Sequence, residues 1–203
     1  RLVGSCPLHA HFLEGRELTE VTSMVGVTDR DRRYVVDGSP VVTGMLPVAD
    51  AWACTNPSLG RGMSIGIDHA RHLADTLREP STDPVELSLR WDEVTQREVA
   101  PWHQATRATD QLRAAELAAQ QAGVEFEPDP ADVGAQIGLA LAASSPYNQE
   151  MFRIFAEILH ILDLPANIMS RPGALDALIQ ASASRSAPEI PGPTRAEFLE
   201  MIG

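Results

Sequence analysis

Two patterns of apolar and polar residues divide this chain. Up to about residue 60, short runs of β-branched residues alternate with turn residues, which indicates small strands. Beyond residue 62, apolar residues recur at intervals of three and four, which places them on one face of a helix. We therefore predict an α+β fold that is mainly helical, with one region at residues 1–79 and a helical region at residues 80–203.

The segment from residue 62 to residue 77 has the clearest helical period. We expect its apolar positions to face the protein interior and its charged positions to face another side. The apolar set is Met63, Ile67, Ala70, Leu73, Ala74 and Leu77, and the charged set is Asp68, Arg71 and Asp75. The helix should end at Glu79, because a residue that precedes proline avoids the α conformation.

Capping residues mark the helices that follow. Asp83 before Pro84 predicts a helix start, and Glu86 would complete a capping box. Pro101 should kink or break the helix that starts at Pro84, since proline lacks the N–H that an interior helical position needs. Gly123 suits the C-terminal cap of the next segment, which runs through residue 122.

Further helices are predicted towards the end of the chain. The sequence Asp-Pro-Ala-Asp at residues 129–132 should cap a helix of small residues that runs through residue 143, and Ser145-Pro146 should open a strongly apolar one. A proline-rich linker at residues 182–193 then leads to Thr194 and Glu197, a capping box that begins a short terminal helix.

The first forty residues predict a small antiparallel unit. β-like runs lie at residues 19–27, 34–36 and 41–43, and Asp37-Gly38 is a favoured hairpin dipeptide because both residues tolerate positive φ. A charged cluster at residues 29–33 has two interpretations. It could grip a cofactor phosphate or a neighbouring chain, or form a solvated turn with internal ion pairs, which its alternating signs favour.

Residues 44–64 carry the most informative pattern. The apolar run at residues 45–49 predicts a strand whose end presents Asp50, and open α/β sheets bind ligands at that end of their strands. In the following loop, Gly60 and Gly62 let the backbone approach a flat ring closely. A helix that starts near Gly62 offers unpaired N–H groups and the positive end of its dipole. This chemistry fits the pyrimidine edge of a flavin; a strand, a turn and a packed helix without any ligand is the alternative.

These residues resemble the aspartate-containing second flavin motif of FAD-dependent monooxygenases of the para-hydroxybenzoate hydroxylase type and of related FAD oxidoreductases. The resemblance covers residues 44–78 and implies that Asp50 contacts the ribityl chain of FAD. It also implies that the Pro-x-x-Gly-x-Gly loop faces the isoalloxazine ring and that backbone N–H groups point at the N1/O2 edge. The implied cofactor-binding residues are Asp50, Pro57, Gly60, Arg61, Gly62, Met63 and Ser64. Ala49 departs from the motif, which has glycine there.

The resemblance implies that the chain is the C-terminal portion of a longer flavoenzyme. No Gly-x-Gly-x-x-Gly motif follows a strand, and the chain starts at Arg1, so we expect an N-terminal nucleotide-binding half to be missing. Residues 1–79 would then be an incomplete FAD-binding α/β portion, made of short strands and the flavin-loop helix. The implied reaction is NAD(P)H-dependent reduction of FAD and hydroxylation of a small organic substrate, without activity in this fragment alone.

Other functions and assemblies stay open. A dehydrogenase, a reductase or a halogenase could use the same scaffold, because the aspartate motif binds flavin without choosing the reaction. Alternatively, the chain is complete and not an enzyme, and its helical region is an interaction module. A homodimer is compatible with each interpretation.

Composition excludes several partners. With 203 residues, 44% of them hydrophobic, the chain can build a core, and its net charge of −12 opposes nucleic acids and anionic membranes. No apolar stretch approaches the roughly 18–20 residues that cross a bilayer. Because only two cysteines are present, we expect no disulfide framework and a cytoplasmic location.

A metal site is not predicted. Cys6, His9 and His11 lie close in sequence, but a fixed metal site needs three or four ligands with supporting partners, and no second cluster completes one. No nucleophile elbow or phosphate loop is present either, so we assign no catalytic acid or base and expect the cofactor to carry the chemistry.

Two sets of residues in the helical region have alternative interpretations. A polar set on one helix face could line a substrate cavity, face solvent or contact a subunit. Its members are His103, Thr106, Asp110 and Arg113. An apolar set in the most apolar helix is either core or the wall of a hydrophobic substrate pocket, and consists of Met151, Phe152 and Phe155.

Overall fold

The computed structural model describes residues 3–6, 8–20, 22–23, 25–26, 28–81, 83–183 and 193–202. The chain forms two compact units, one of residues 27–185 and one of residues 1–26 together with residues 186–203. The described part is mostly helical with short strands, which confirms the mainly helical α+β class. The division at residue 80 stays a prediction.

The smaller unit contains two 3-10 turns, Val3–Ser5 and Ala10–Glu14, and the terminal helix. The predicted capping box is confirmed: Thr194 donates its N–H and hydroxyl to Oε2 of Glu197, each at 2.7 Å, and the N–H of Glu197 returns a bond to Oγ1 of Thr194. The described residues of the β-like run at 19–27 form no strand. Most of the predicted linker at 182–193 lies outside the described residues.

The strands of the larger unit are two residues long. Strand β1 (Arg30–Asp31) pairs antiparallel with β4 (Ala53–Cys54), and β2 (Val35–Val36) pairs with β3 (Ser39–Pro40). Asp37 and Gly38 connect β2 and β3 with φ values of 50° and 74°, which confirms the hairpin turn. The predicted strand at residues 41–43 was wrong: the N–H of Val41 still donates to the carbonyl of Tyr34, but residues 41–43 are bends.

The predicted strand at residues 45–49 was also wrong. Residues 45–48 are irregular, and residues Ala49–Ala51 form a 3-10 turn. Ala49 has a φ of 52°, which lies in the left-handed region and is incompatible with a strand. Asp50 therefore sits within a turn between an irregular segment and β4, and not at the end of the predicted strand.

Eight helices are present in the described residues. Their bounds are α1 Gly62–Arg78, α2 Pro84–Val94, α3 Ala100–Ala122, α4 Val133–Ser144, α5 Gln149–Leu159, α6 Pro165–Met169, α7 Ala174–Ala183 and α8 Arg195–Ile202. A π-helical turn, Thr95–Val99, joins α2 to α3 without interruption. The predicted break at Pro101 was therefore wrong, whereas the alternative of a kink there stays a prediction; Pro101 is the second residue of α3, directly after the π-helical turn.

Most predicted caps are confirmed. Oδ1 of Asp83 accepts the N–H of Val85, Asp132 caps α4 in the same way, and Gly123 ends α3 with a φ of 70°. Helix α5 starts later than predicted, because Asn148 and not Ser145 provides its cap. The carboxylate of Glu86 accepts a bond from the hydroxyl of Ser81, so it does not complete the predicted box.

The core consists of two clusters. The first packs the Asp50 turn and α1 against the π-turn and α3, and comprises Trp52, Ala53, Ile65, Val99, Ala100 and Trp102. The second joins α4, α5, α6 and α7, and comprises Leu141, Met151, Ile154, Ile168, Ala174 and Leu178. In the described part of the chain, no helix is both long and apolar enough to cross a membrane.

Helix α1 buries a different face from the predicted one. Ile65, His69 and Thr76 are its buried residues. The predicted interior face is mostly exposed: Met63 is 79% exposed and Ile67 is 66% exposed. Ala70, Ala74 and Leu77 on the same face are also exposed. The helix therefore presents an apolar stripe to solvent while it buries a histidine and a threonine.

Candidate functional site

Asp50 lies in a turn whose carbonyl groups accept hydrogen bonds from Arg32 and Tyr34, which lie between β1 and β2. Nη1 of Arg32 donates to the carbonyl oxygens of Asp50, at 2.9 Å, and of Ala51, at 3.2 Å. The hydroxyl of Tyr34 also donates to the carbonyl of Ala51. The carboxylate of Asp50 is exposed, and within the described residues it has no hydrogen bond or ion pair. Its backbone is thus fixed while its side chain is free to bind.

The sequence patterns did not identify Arg32 as the residue that fixes this turn. Arg32 belongs to the charged cluster at residues 29–33. Asp29 accepts the backbone N–H of Asn56, and Arg33 lies 3.6 Å from Asp92. In the described residues these contacts run to other segments of the chain and not within the cluster, so neither of its two interpretations is confirmed.

The Asp50 turn and α1 approach each other closely at Ala49. The backbone N–H of Ala49 donates to Nδ1 of His69 at 3.2 Å. Gly66 is the nearest residue of α1, and a β-carbon built on it would lie 2.9 Å from the β-carbon of Ala49. Real β-carbons do not approach so closely, so only glycine at position 66 permits this packing.

His69 is fully buried between aromatic rings. It stacks on Trp91 with ring centroids 4.6 Å apart and meets the edge of Trp52 at 5.2 Å. Because Nδ1 accepts the N–H of Ala49, the neutral ring carries its proton on Nε2 and donates to Oγ1 of Thr95 at 3.0 Å. Burial lowers the pKa of His69 to about 4, an effect that His72 strengthens and Asp68 opposes. The ring is therefore neutral at physiological pH.

A small open groove lies between this turn and helices α1 and α3. Its polar side chains come from four separate parts of the chain, and its other lining residues are glycine or apolar. The polar residues are Asp50, Thr55, His69 and His103, the glycines are Gly62 and Gly66, and the apolar residues are Ala49, Trp52, Ala53 and Ile65.

The loop between β4 and α1 leads to the edge of this groove. A 3-10 turn, Pro57–Leu59, is closed by the N–H of Gly60, and Gly60 has a φ of 65° that favours glycine. Helix α1 begins at Gly62 without a side-chain cap. Its first N–H groups therefore remain available, together with the positive end of the helix dipole.

The structure brings some of the implied cofactor residues to the groove. Asp50 and Gly62 line it. Met63 and Ser64 are exposed in the first turn of α1, and their backbone groups belong to the uncapped helix terminus. Pro57 and Gly60 shape the preceding loop and do not line the groove.

Arg61 occupies a different environment from the other implied cofactor residues. It is only 8% exposed, and its Nη2 donates to Oγ1 of Thr106 at 2.8 Å. Burial lowers the pKa of this guanidinium from its usual value, and the carboxylate of Asp110 partly offsets the effect. Its side chain therefore connects the loop before α1 to α3.

Three members of the polar set on α3 are gathered at this point. His103 and Thr106 are buried, Asp110 is half-buried, and Arg113 is exposed. Nε of Arg61, Nε2 of His103 and Oδ2 of Asp110 are all buried and have no hydrogen-bond partner among the described residues. Buried polar atoms are seldom left unpaired, and of these three residues only His103 lines the groove.

A second open groove lies between the β-hairpin and α2. Its polar groups are largely occupied: Nε1 of Trp91 donates to the carbonyl of Pro47 at 3.0 Å, and Asp92 faces Arg33. Burial raises the pKa of the Asp92 carboxyl. This groove offers few free polar groups to a ligand.

The apolar set on α5 does not form the wall of either groove. Met151 is fully buried in the second core cluster, whereas Phe152 is 57% exposed. Phe155 packs against the same cluster, which favours the core interpretation. Among the residues that the structure describes, no group of three His, Cys, Asp or Glu side chains could hold a metal ion.

No protein-family model, curated protein or solved structure matches this chain. Any assignment of function therefore depends on the residues of the groove and on the sequence motif.

Proposed function

We propose that the chain is the C-terminal portion of an FAD-dependent oxidoreductase, and that the groove beside Asp50 receives the flavin. The proposed activity is that of an NAD(P)H-dependent monooxygenase that acts on a small organic substrate in the cytoplasm. A dehydrogenase, a reductase or a halogenase on the same scaffold is the alternative, because the site concerns cofactor binding and not the later chemistry.

One observation carries the proposal: the exposed carboxylate of Asp50, without a partner in the described chain, stands on a fixed turn at the groove that the uncapped start of α1 also borders. A carboxylate accepts hydrogen bonds from hydroxyl groups, such as those of a ribityl chain. Unpaired N–H groups at a helix start suit the electron-rich edge of the isoalloxazine ring. The two groups thus match two neighbouring parts of one ligand.

The backbone at Ala49 gives independent support. The flavin motif that the sequence resembles has glycine at this position, and Ala49 here adopts a φ of 52°, a conformation that favours glycine. A glycine would adopt this conformation with little strain, so the backbone at position 49 is compatible with the residue that the motif has there. Gly66 accommodates the additional methyl group.

In this proposal the chain positions the cofactor and the cofactor supplies the redox chemistry. Asp50 would hold the ribityl hydroxyls, and the N–H groups of Met63 and Ser64 would hold the polar edge of the ring. A flavin held there would supply the hydride and oxygen chemistry, with NAD(P)H as the reductant. Arg32 would act indirectly, because it fixes the carbonyl groups of the Asp50 turn.

The exposed face of α1 is relevant to the missing nucleotide-binding half. Met63, Ile67, Ala70, Ala74 and Leu77 form an exposed apolar stripe that begins at the proposed flavin site and follows the helix. Monomers rarely expose such contiguous apolar surfaces without a function. We propose that the N-terminal half, which would bind the adenosine part of FAD, packs on this stripe.

Flavin binding can be tested on the 203-residue chain by NMR, which detects weak ligands. A ¹⁵N-labelled sample is titrated with riboflavin, which contains the ring and the ribityl chain but does not need the missing half. We expect shift changes at the backbone N–H groups of Asp50, Gly62, Met63 and Ser64. Asp50→Ala should weaken riboflavin binding about tenfold, equivalent to one charge-assisted hydrogen bond.

Two controls make this test specific. Lumiflavin carries a methyl group in place of the ribityl chain, so Asp50→Ala should not change its binding. Asp176→Ala removes an equal charge from an exposed position of α7 and should leave riboflavin binding unchanged. If riboflavin causes no shift changes at the Asp50 turn or the start of α1, the flavin proposal is wrong and the interaction-module hypothesis gains support.

A further inference from the structure

We propose that His103 is a cofactor-contacting residue of this site, and that its Nε2 donates a hydrogen bond to a carbonyl or ring nitrogen of the flavin pyrimidine edge. This inference rests on the proposed flavin function. It assigns a role to a side chain on α3, some forty residues beyond the motif that suggested the cofactor.

The first observation is the position of His103. It lines the same groove as Asp50 and Gly62, although it lies on α3 and they belong to the turn and α1. It is 3% exposed, and the ring of Trp52 packs edge-on at a centroid distance of 5.8 Å. The imidazole is therefore held in place by packing, which preorganises it to contact a ligand.

The second observation is that Nε2 of His103 is buried without a hydrogen-bond partner. An unpaired buried polar atom costs about 1–3 kcal/mol, so a residue that packs only for stability would not be expected to have one. His69, which lines the same groove, provides the contrast, since both of its ring nitrogens are hydrogen-bonded within the protein. Of the two histidines, only His103 has an unused nitrogen for a ligand.

The third observation is the chemistry of the surrounding groups. His103 stands one turn before Thr106, which binds the buried guanidinium of Arg61, and Arg61 directly precedes α1. The uncapped helix start, the guanidinium and the imidazole donor all favour an electron-rich ligand edge. A planar ligand with adjacent carbonyl and ring-nitrogen acceptors meets this requirement, and the flavin pyrimidine ring is such a group.

The inferred contact would affect the cofactor as well as its affinity. Negative charge develops at the N1/O2 edge when a flavin is reduced, and a hydrogen bond to a charged acceptor is about twice as strong as one to a neutral acceptor. Loss of the His103 contact should therefore weaken the binding of reduced flavin more than that of oxidised flavin. The reduction potential of the bound flavin would become lower.

The test compares three forms of the chain: wild type, His103→Phe and His103→Gln. Phenylalanine keeps a ring against Trp52 but has no nitrogen, whereas glutamine keeps an N–H donor near the position of Nε2. We expect His103→Phe to bind oxidised riboflavin about tenfold more weakly and reduced riboflavin more weakly still, and His103→Gln to recover most of the affinity. In wild type, riboflavin should shift the ¹⁵N resonance of Nε2.

The free energy of unfolding of His103→Phe distinguishes a ligand-binding role of His103 from a structural one. Because Nε2 has no partner in the protein, His103→Phe should be at least as stable as wild type in urea unfolding, while a structural histidine would lose stability on this change. If wild type binds riboflavin and Asp50→Ala weakens it, but His103→Phe binds equally well, the inference is wrong and the flavin function stands. If wild type does not bind riboflavin, the function and the inference both fail.

Discussion

A β-carbon placed on Gly66 would lie 2.9 Å from the β-carbon of Ala49. Helix α1 therefore contacts the Asp50 turn closely at this glycine and alanine, and a methyl group added at position 66 would force one of them to shift. Ala49 also adopts a φ of 52°, and its N–H is bound by His69. The orientation of Asp50 thus depends on close packing between backbones.

This contact predicts a coupled pair of substitutions. Gly66→Ala should destabilise the protein by about 1–2 kcal/mol, because the cost of overpacking exceeds the gain in helix propensity. Ala49→Gly should change stability by less than about 1 kcal/mol, since the relief at positive φ is offset by the greater freedom of glycine in the unfolded chain. Urea unfolding at neutral pH measures both changes.

The double variant tests whether the contact with Ala49 causes the loss of stability in Gly66→Ala. With glycine at position 49, an added methyl group at position 66 meets no β-carbon, so the double variant should be at least as stable as wild type. The coupling free energy should be about 1–3 kcal/mol. Additive effects of the two substitutions would show that Gly66 is required for another reason.

The lowered pKa of the buried His69 predicts that the free energy of unfolding decreases in mild acid. Its pKa is about 4 in the folded protein and about 6.5 in the unfolded chain, so only the unfolded state binds a proton between these values. The stabilisation is complete above pH 6.5 and is lost as the pH falls towards 4. It amounts to about 3 kcal/mol. Urea unfolding at several pH values from 7 to 4 measures it.

His69→Gln is the comparison for this prediction. Glutamine can accept the N–H of Ala49 and donate to Thr95, but it does not titrate. The variant should be less stable than wild type at pH 7, because it loses the stacking on Trp91 and Trp52. The difference should shrink as the pH falls to 4. Parallel stability curves for both proteins would contradict the assignment of the acid loss to His69.

The two isoleucines of α1 predict opposite responses. Ile65 is 7% exposed and packs in the first core cluster, whereas Ile67 is 66% exposed. Ile65→Ala should cost about 2–4 kcal/mol of unfolding free energy. Ile67→Ala should change it by less than about 0.5 kcal/mol in this chain. Equal losses at both positions would mean that the helix buries the face predicted from its period.

Local signals in the sequence were sufficient to predict most of the helix ends. Asp83, Gly123 and Thr194 act through atoms a few residues away, so their roles could be deduced without the tertiary structure. The hairpin turn at Asp37 and Gly38 is local in the same sense. The later start of α5 was missed because Ser145 and Asn148 are both good caps, and the bonds that select Asn148 become visible only in the structure.

Tertiary contacts decided what the sequence left open. The apolar period of α1 predicted the wrong buried face, because Trp52, Trp91 and Thr95 together make a site in which a neutral histidine is favoured. The strand at residues 45–49 was predicted from apolar content alone, and no other strand pairs with that segment in the described residues. For the candidate site, the motif identified Asp50 and Gly62, and the polar face of α3 marked His103 as a possible cavity residue without linking it to them. Arg32 is distant in sequence, and no pattern related it to the turn.

The π-turn at Thr95–Val99 determines how α3 is rotated about its own axis relative to α2. Trp91, Thr95, Val99 and His103 are spaced four residues apart and all are buried. In a regular α-helix such a series would drift by about 120° around the axis over three steps. The wider turn absorbs much of this drift, so a single-residue deletion within it would rotate His103 and Thr106 away from the groove. The length of this turn is thus a constraint on the site, although the turn contributes no ligand-binding atom of its own.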